Sequence, residues 1–296
     1  MKSENNPATY QTDRALVISI SDSDQSIMTA FYLLIETGDT SHQAFELSEK
    51  VLNLNSASYT AWLWRRKCII NDLCVDHLLS ELTFADSWCI RNPKNYQVWY
   101  HRRWLFERIQ AIAPERVPDI VSSELERVAE LITAEPKHYN AWTHRLFLAT
   151  RFGLLSSLPE LEVSAEMIDL DPRNNSAWSY RRHLINFHSL IVPHEISFTL
   201  SRINIAPNNE SAWAYLRSLD GWSNNSGVQE VIESIVDKAS RLTPPFSSYR
   251  DATETLAILH EMRESRDVSA SLLVQLSGAD SVRQKSLLHR SKQVVV

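Results

Sequence analysis

The chain has 296 residues, a formal net charge of −6 and 44% hydrophobic residues, which is ample for a core. The acidic balance argues against nucleic acid as the main ligand, because phosphate binding calls for a basic footprint. Five glycines, with neither G-x-x-x-x-G-K-[ST] nor G-x-G-x-x-G spacing, argue against a glycine-rich phosphate cradle.

In chain order, residues 1–25 are rich in Ser, Asn, Asp and Gln and are expected to form a flexible N-terminal tail. A first helix is predicted over 26–35, followed by a turn at Gly38-Asp39-Thr40-Ser41 with Ser41 as N-cap, and a second helix through Phe45, Leu47, Val51 and Leu54. Further helices are predicted over 59–70, 76–90, 95–108, 120–133, 139–152, 159–170, 175–190, 194–205 and 210–219. Pro114 and Pro118 are assigned to a loop. After the loop at 221–227 come helices at 228–242, 248–264 and 268–276, and residues beyond about 278 are expected to fray.

Five of these helices carry one pattern. Its anchors are Trp62, Trp99, Trp142, Trp178 and Trp213, spaced 37, 43, 36 and 35 residues apart. Three residues after the tryptophan stand Arg65, Arg102, Arg145 and Arg181, while the fifth copy has Leu216 there and Arg217 one place later. Six residues before it stand Ser56, Pro93, Pro136, Pro172 and Pro207, and four before it Ser58, Asn95, His138, Asn174 and Asn209. Proline ends the preceding helix, Ser or Asn caps the next, and Trp and Arg then share a face. A helix–turn–helix unit repeated at a period of roughly 20–50 residues marks an α-solenoid. The expected architecture is all-α: an α-α superhelix of helical hairpins over 26–290, with atypical capping helices at its C-terminal end. The Trp+3 arginines are expected to pair with acids inside the stack.

Cys68, Cys74 and Cys89 lack C-x-x-C spacing and read as reduced, mostly buried thiols. The apolar stretch at 27–35 is too short to span a bilayer, no signal peptide or lipidation cysteine is evident, and a cytoplasmic location is expected. No H-E-x-x-H or Cys/His cluster is present, and His188 and His194, six apart across Pro193, read as loop residues.

The segments Pro93 to Arg103, Val163 to Arg182 and Pro207 to Leu216 resemble the repeats of the protein prenyltransferase α-subunit family. They are most similar to the α-subunit shared by protein farnesyltransferase and geranylgeranyltransferase type I. The likeness covers roughly residues 26–265. It implies a crescent of helical hairpins wrapped around a β-subunit that holds the catalytic zinc, so the metal is expected outside this chain. The implied reaction moves a farnesyl or geranylgeranyl group from its diphosphate to a cysteine of a C-terminal Cys-a-a-X motif on an acceptor protein, with Mg²⁺ as an optional aid to the leaving group.

Residue by residue, the resemblance makes Lys94 a point charge on the diphosphate and Tyr96 a wall of the site. Gln97 becomes a hydrogen-bond donor to the acceptor's C-terminal carboxylate, and Tyr139 and Asn140 the equivalent substrate-binding pair one repeat on. The family often has His where this chain has Asn140. Read by pattern alone, Lys94 is a solvated turn lysine, Tyr96 a core residue like Tyr59 and Tyr139, and Gln97 an exposed helix-start residue. Two other functions compete: the Rab geranylgeranyltransferase α-subunit, disfavoured by the Lys94-Asn95-Tyr96-Gln97 run, and a tetratricopeptide-like adaptor, disfavoured by the variable period.

Overall fold

The computed structural model describes residues 21–187, 192–241 and 249–295. Among these residues the ordered elements are all helical. The chain divides into two compact units, Met1–Glu115 and Arg116–Val296.

The first unit holds α1 (Asp22–Thr37), α2 (His42–Leu54), α3 (Tyr59–Asn71), α4 (Val75–Arg91) and α5 (Tyr96–Ile112). Helix α1 begins inside the stretch assigned to the tail, because the Ser21 side chain accepts from the Asp24 N–H and caps it. It ends at Gly38, whose φ of 72° lets its N–H and that of Asp39 close back onto the Ile35 and Leu34 carbonyls. Ser41 then caps α2, as its place in the sequence predicts. Helices α2 and α3 form one antiparallel hairpin and α4 and α5 the next, with α3 against α5.

The second unit continues the pattern with α6 (Val117–Ala134), α7 (Tyr139–Arg151), α8 (Leu158–Leu170), α9 (Asn175–Ile185), α10 (Val192–Ile205) and α11 (Glu210–Arg217). Here α6 pairs with α7, α8 with α9 and α10 with α11, while α7 packs on α9 and α9 on α11. Two local expectations are corrected. Pro114–Arg116 is a 3-10 turn rather than an open loop, and Pro118 lies in the first turn of α6, where a missing N–H costs nothing. His194 belongs to α10 and not to a loop; His188 lies outside the described residues.

Each motif position has a visible job. All five anchor tryptophans are buried, and every indole Nε1–H donates to the carbonyl six residues earlier: Ser56, Pro93, Pro136, Pro172 and Pro207, at 2.7–3.1 Å. Three of those carbonyls also receive the next repeat's amide. Asn95 Nδ2 donates to the Ser56 oxygen at 2.6 Å, Asn174 Nδ2 to the Pro136 oxygen at 2.8 Å, and Asn209 Nδ2 to the Pro172 oxygen. Asn95 and Asn174 cap their helices with the other end of the same amide, whereas Asn209 makes no side-chain cap bond and serves the cross-repeat contact alone. Burying an indole N–H or an amide is affordable only when it is bonded, so these bonds fix where each loop lies against the next.

The C-terminal part comprises α12 (Ser226–Ser240), α13 (Arg250–Met262), α14 (Arg266–Ala279) and α15 (Gln284–Val295). The fraying expected beyond 278 does not occur. Helix α15 packs on α14, and Leu287 and Val294 join Ala257, Leu273 and Leu276 in one buried cluster.

Candidate functional site

Lys94 lies exposed in the turn between α4 and α5, directly before the cap Asn95. Among the described residues no carboxylate lies within ion-pair distance of it, whereas Lys137, at the same place one repeat on, is held by Asp171 at 3.1 Å. The α5 N-terminus presents unsatisfied backbone N–H groups beside Lys94, so a cation and a helix dipole share one turn. Tyr96, on the first turn of α5, is 68% exposed, and Tyr59 and Tyr139 are exposed in the same way, which removes the core reading of all three. Gln97 is the reverse: only 6% is exposed, so it is no solvated helix-start residue. Its backbone N–H donates to Asn95 Oδ1 at 2.9 Å.

In the second unit Tyr139 is 74% exposed and Asn140 half-buried. Tyr139 lines a cavity of about 160 Å³ with Trp142 and Thr143 of α7 and Asn175, Ser179 and His183 of α9. Leu146 and the rings of Tyr139, Trp142 and Tyr180 make its exposed lining mostly apolar, with hydroxyl, amide and imidazole groups at its edges. Lys94, Tyr96 and Gln97 thus belong to the first unit, and Tyr139 and Asn140 to the second.

The Trp+3 arginines do meet acids inside the stack. Arg65 holds Glu81 through Nε and Nη2 at 2.6 and 2.7 Å, Arg145 holds Glu160 at 2.7 and 2.8 Å, and Arg181 holds Glu195 at 2.8 and 2.5 Å. Sequence reasoning missed the third member, the residue two after the tryptophan. His101 binds Glu81, His144 binds Glu124, Tyr180 binds Glu160 and Tyr215 binds Glu195. The Glu-to-Trp+2 offset is 20 residues in all four copies, a regularity that could have exposed it. The arginine's Nη1 completes the set by donating to a carbonyl 20 residues upstream: Phe45, Leu82, Leu125 or Leu161. In the fifth copy arginine and acid vanish together. Leu216 replaces the arginine, and α12 turns Val228, Ile232 and Ile235 inward instead of an acid, while the displaced Arg217 donates to Thr255 Oγ1 of α13.

Electrostatically the clamps are locked. Burial raises the Glu81 carboxyl, but the hydrogen bonds from His101 and Arg65 outweigh it and hold the carboxyl below its ordinary value. Burial pulls His101 down, against the opposing pull of Glu81, so the ring is neutral and its Nε2–H donates. Burial, then the adjacent glutamates, push the Tyr180 and Tyr215 phenols far up, so both stay protonated donors. These groups do not turn over protons near neutral pH; they hold hairpins together.

Among the described residues no group of three His, Cys, Asp or Glu side chains could hold a metal ion. Cys68 and Cys89 are buried, as expected of most of the thiols, and Cys74, which precedes the first residue of α4, is exposed. Burial pushes the Cys68 thiol up to about 11, which leaves it unreactive. No described helix is long and apolar enough to cross a membrane.

Within each unit, Trp-anchored hairpins braced by buried Arg–Glu–His/Tyr clamps define a helical-repeat protein whose exposed chemistry lies at the starts of its second helices. The sequence matches the protein prenyltransferase alpha subunit repeat at residues 41–71, 78–109, 121–152, 159–188 and 192–222, and the chain belongs to that family. Among curated relatives, the geranylgeranyl transferase type-2 subunit alpha 1 of Arabidopsis thaliana is 33% identical over 76 residues, 23% of this chain and 11% of that protein. The Candida albicans protein farnesyltransferase/geranylgeranyltransferase type-1 subunit alpha is 27% identical over 88 residues, 30% of this chain and 28% of that one. The mouse geranylgeranyl transferase type-2 subunit alpha is 32% identical over 94 residues, 29% of this chain and 16% of that one. The aligned stretches therefore span between 11% and 28% of these relatives' own length. A chain of the Candida albicans protein geranylgeranyltransferase-I structure complexed with GGPP shares the fold, with a TM-score of 0.76 and 23% identity over 98% of this chain and 97% of that one.

Proposed function

We propose that this chain is the α-subunit of a heterodimeric protein prenyltransferase of the farnesyltransferase/geranylgeranyltransferase type I class. In that reaction the acceptor's cysteine, having lost its proton, bonds as the thiolate to C1 of the isoprenoid, the C1–oxygen bond breaks, and the diphosphate departs with the electron pair. Negative charge builds on the leaving group, and a cation already in place lowers the barrier without reorganising. The observation that carries the reading is Lys94: an exposed ammonium with no carboxylate within ion-pair distance among the described residues, set beside the N-terminus of α5 in a repeat of the matching family. Tyr96 stands next to it as an exposed phenol. Gln97, Tyr139 and Asn140 remain the proposed contacts to the acceptor peptide.

The finer type rests on the Lys94-Asn95-Tyr96-Gln97 run and on the type-1 relative. The type-2 relatives, matched at comparable identity, support the Rab geranylgeranyltransferase α-subunit as the second reading. One experiment separates them. The chain is co-expressed with prenyltransferase β-subunits of each class, and the purified heterodimers are supplied with farnesyl or geranylgeranyl diphosphate. Transfer to a peptide ending in Cys-a-a-X supports the first reading. Transfer only to a Rab protein supports the second, and pairing with no β-subunit overturns both.

A further inference from the structure

Arg66 follows the clamp arginine Arg65 in sequence but shares none of its bonds. It is only 5% exposed, and its Nη1 is buried without a hydrogen-bond partner. Among the described residues no carboxylate lies within ion-pair distance of it. Its guanidinium carbon stands 5.0 Å from the centre of the Tyr100 ring. The titratable groups that act on it are the phenols of Tyr100 and Tyr59, and it in turn helps keep His101 neutral. Arg65, Arg145 and Arg181, equally buried, each hold a glutamate at two points. A buried cation without a counter-ion is costly, and a single aromatic face returns only part of that cost.

Around this cation α3 and α5 expose several aromatic and apolar side chains, with Lys67 the exposed charge beside them on α3. Tyr59 and Tyr100 are 57% and 54% exposed, and Tyr96 and Ile70 are also exposed. Tyrosine, arginine and an apolar surround are the composition of a protein-interface centre. A planar guanidinium without a carboxylate of its own matches the single charge and two-oxygen edge of an Asp or Glu side chain.

We infer that Arg66, framed by Tyr59 and Tyr100, is the anchor for an Asp or Glu side chain of the partner subunit. This rests on the reading of the chain as one subunit of a heterodimer.

The test uses the purified heterodimer with its β-subunit and the full-length chain. Arg66→Met is expected to weaken the heterodimer by about 30-fold or more, the size typical of removing one partner of a buried charge pair. The same change in the chain alone is expected to leave the melting temperature unchanged or raised, because it deletes an unpaired buried charge. Arg65→Met, which strands Glu81, should lower it. A photo-crosslinking residue in place of Tyr100 is expected to label the β-subunit. The anchor is overturned if Arg66→Met pairs as tightly as wild type, if it destabilises the chain alone as much as Arg65→Met, or if the crosslinker leaves the β-subunit unlabelled. If the wild-type chain pairs with no β-subunit, the subunit reading falls and the anchor with it. If wild type pairs and transfers while Arg66→Met pairs equally well, only the anchor falls.

Discussion

Arg145 and Glu160 are joined by two hydrogen bonds between buried side chains, Nε to Oε2 at 2.7 Å and Nη2 to Oε1 at 2.8 Å, and Tyr180 donates a third to Oε2 at 2.5 Å. The three residues come from α7, α8 and α9, so one carboxylate ties a hairpin to the helix before it. The pair offsets its own desolvation only while complete. Glu160→Ala is expected to cost about 3–5 kcal/mol in urea denaturation, because it strands a buried guanidinium. The apolar triple replacement Arg145→Met, Glu160→Leu, Tyr180→Phe is expected to lose far less than that single change. A triple variant as unstable as Glu160→Ala would mean that the clamp contributes net attraction beyond satisfying its own charges.

The histidine form of the clamp makes stability depend on pH. His101 has a folded pKa below its ordinary 6.5, so as pH falls below 6.5 the unfolded chain takes up a proton that the folded chain refuses. Its contribution is complete above 6.5 and is lost progressively below. Glu81, also lowered, adds a second loss that begins below 4.5. Thermal unfolding followed from pH 7.5 to 5 is expected to show a falling melting temperature. His101→Tyr, copying Tyr180 and Tyr215, is expected to reduce that fall without breaking the clamp. An unchanged pH profile in the variant would assign the acid sensitivity elsewhere.

The C-terminal helices are a structural cap rather than a frayed end. Leu276 is fully buried in the cluster shared by α13, α14 and α15. Leu276→Ala is expected to destabilise by about 2–5 kcal/mol, and deletion of residues 284–296 to expose the same cluster and cause aggregation. A truncated chain that melts like the full one would contradict this packing.

How much of this could be read from the sequence depends on distance along the chain. The Trp, Pro, Asn and Arg positions were legible because their partners sit at fixed short offsets, such as the indole on the carbonyl six residues back. The Arg-to-Glu offset drifts through 16, 15 and 14 residues with loop length, so counting forward from the arginine does not find the acid, whereas counting 20 back from the residue two after the next tryptophan does. Helix α15 was missed because its buried stripe is Leu287, Ser291 and Val294, with a serine in the middle. For the candidate site, the turn holding Lys94 was legible. The exposure of Tyr96 and the burial of Gln97 were not, since adjacent residues at a helix start differ in fate only through the hairpin packed beside them.

The most direct test of the account is single-turnover transfer by the purified heterodimer carrying Lys94→Ala. If Lys94 stabilises the departing diphosphate, the rate of the chemical step should fall by about 10²–10³-fold while the heterodimer still forms and the chain's melting temperature is unchanged. A variant that transfers the isoprenoid at the wild-type rate would return Lys94 to a solvated turn lysine and remove the chemical role assigned to this chain.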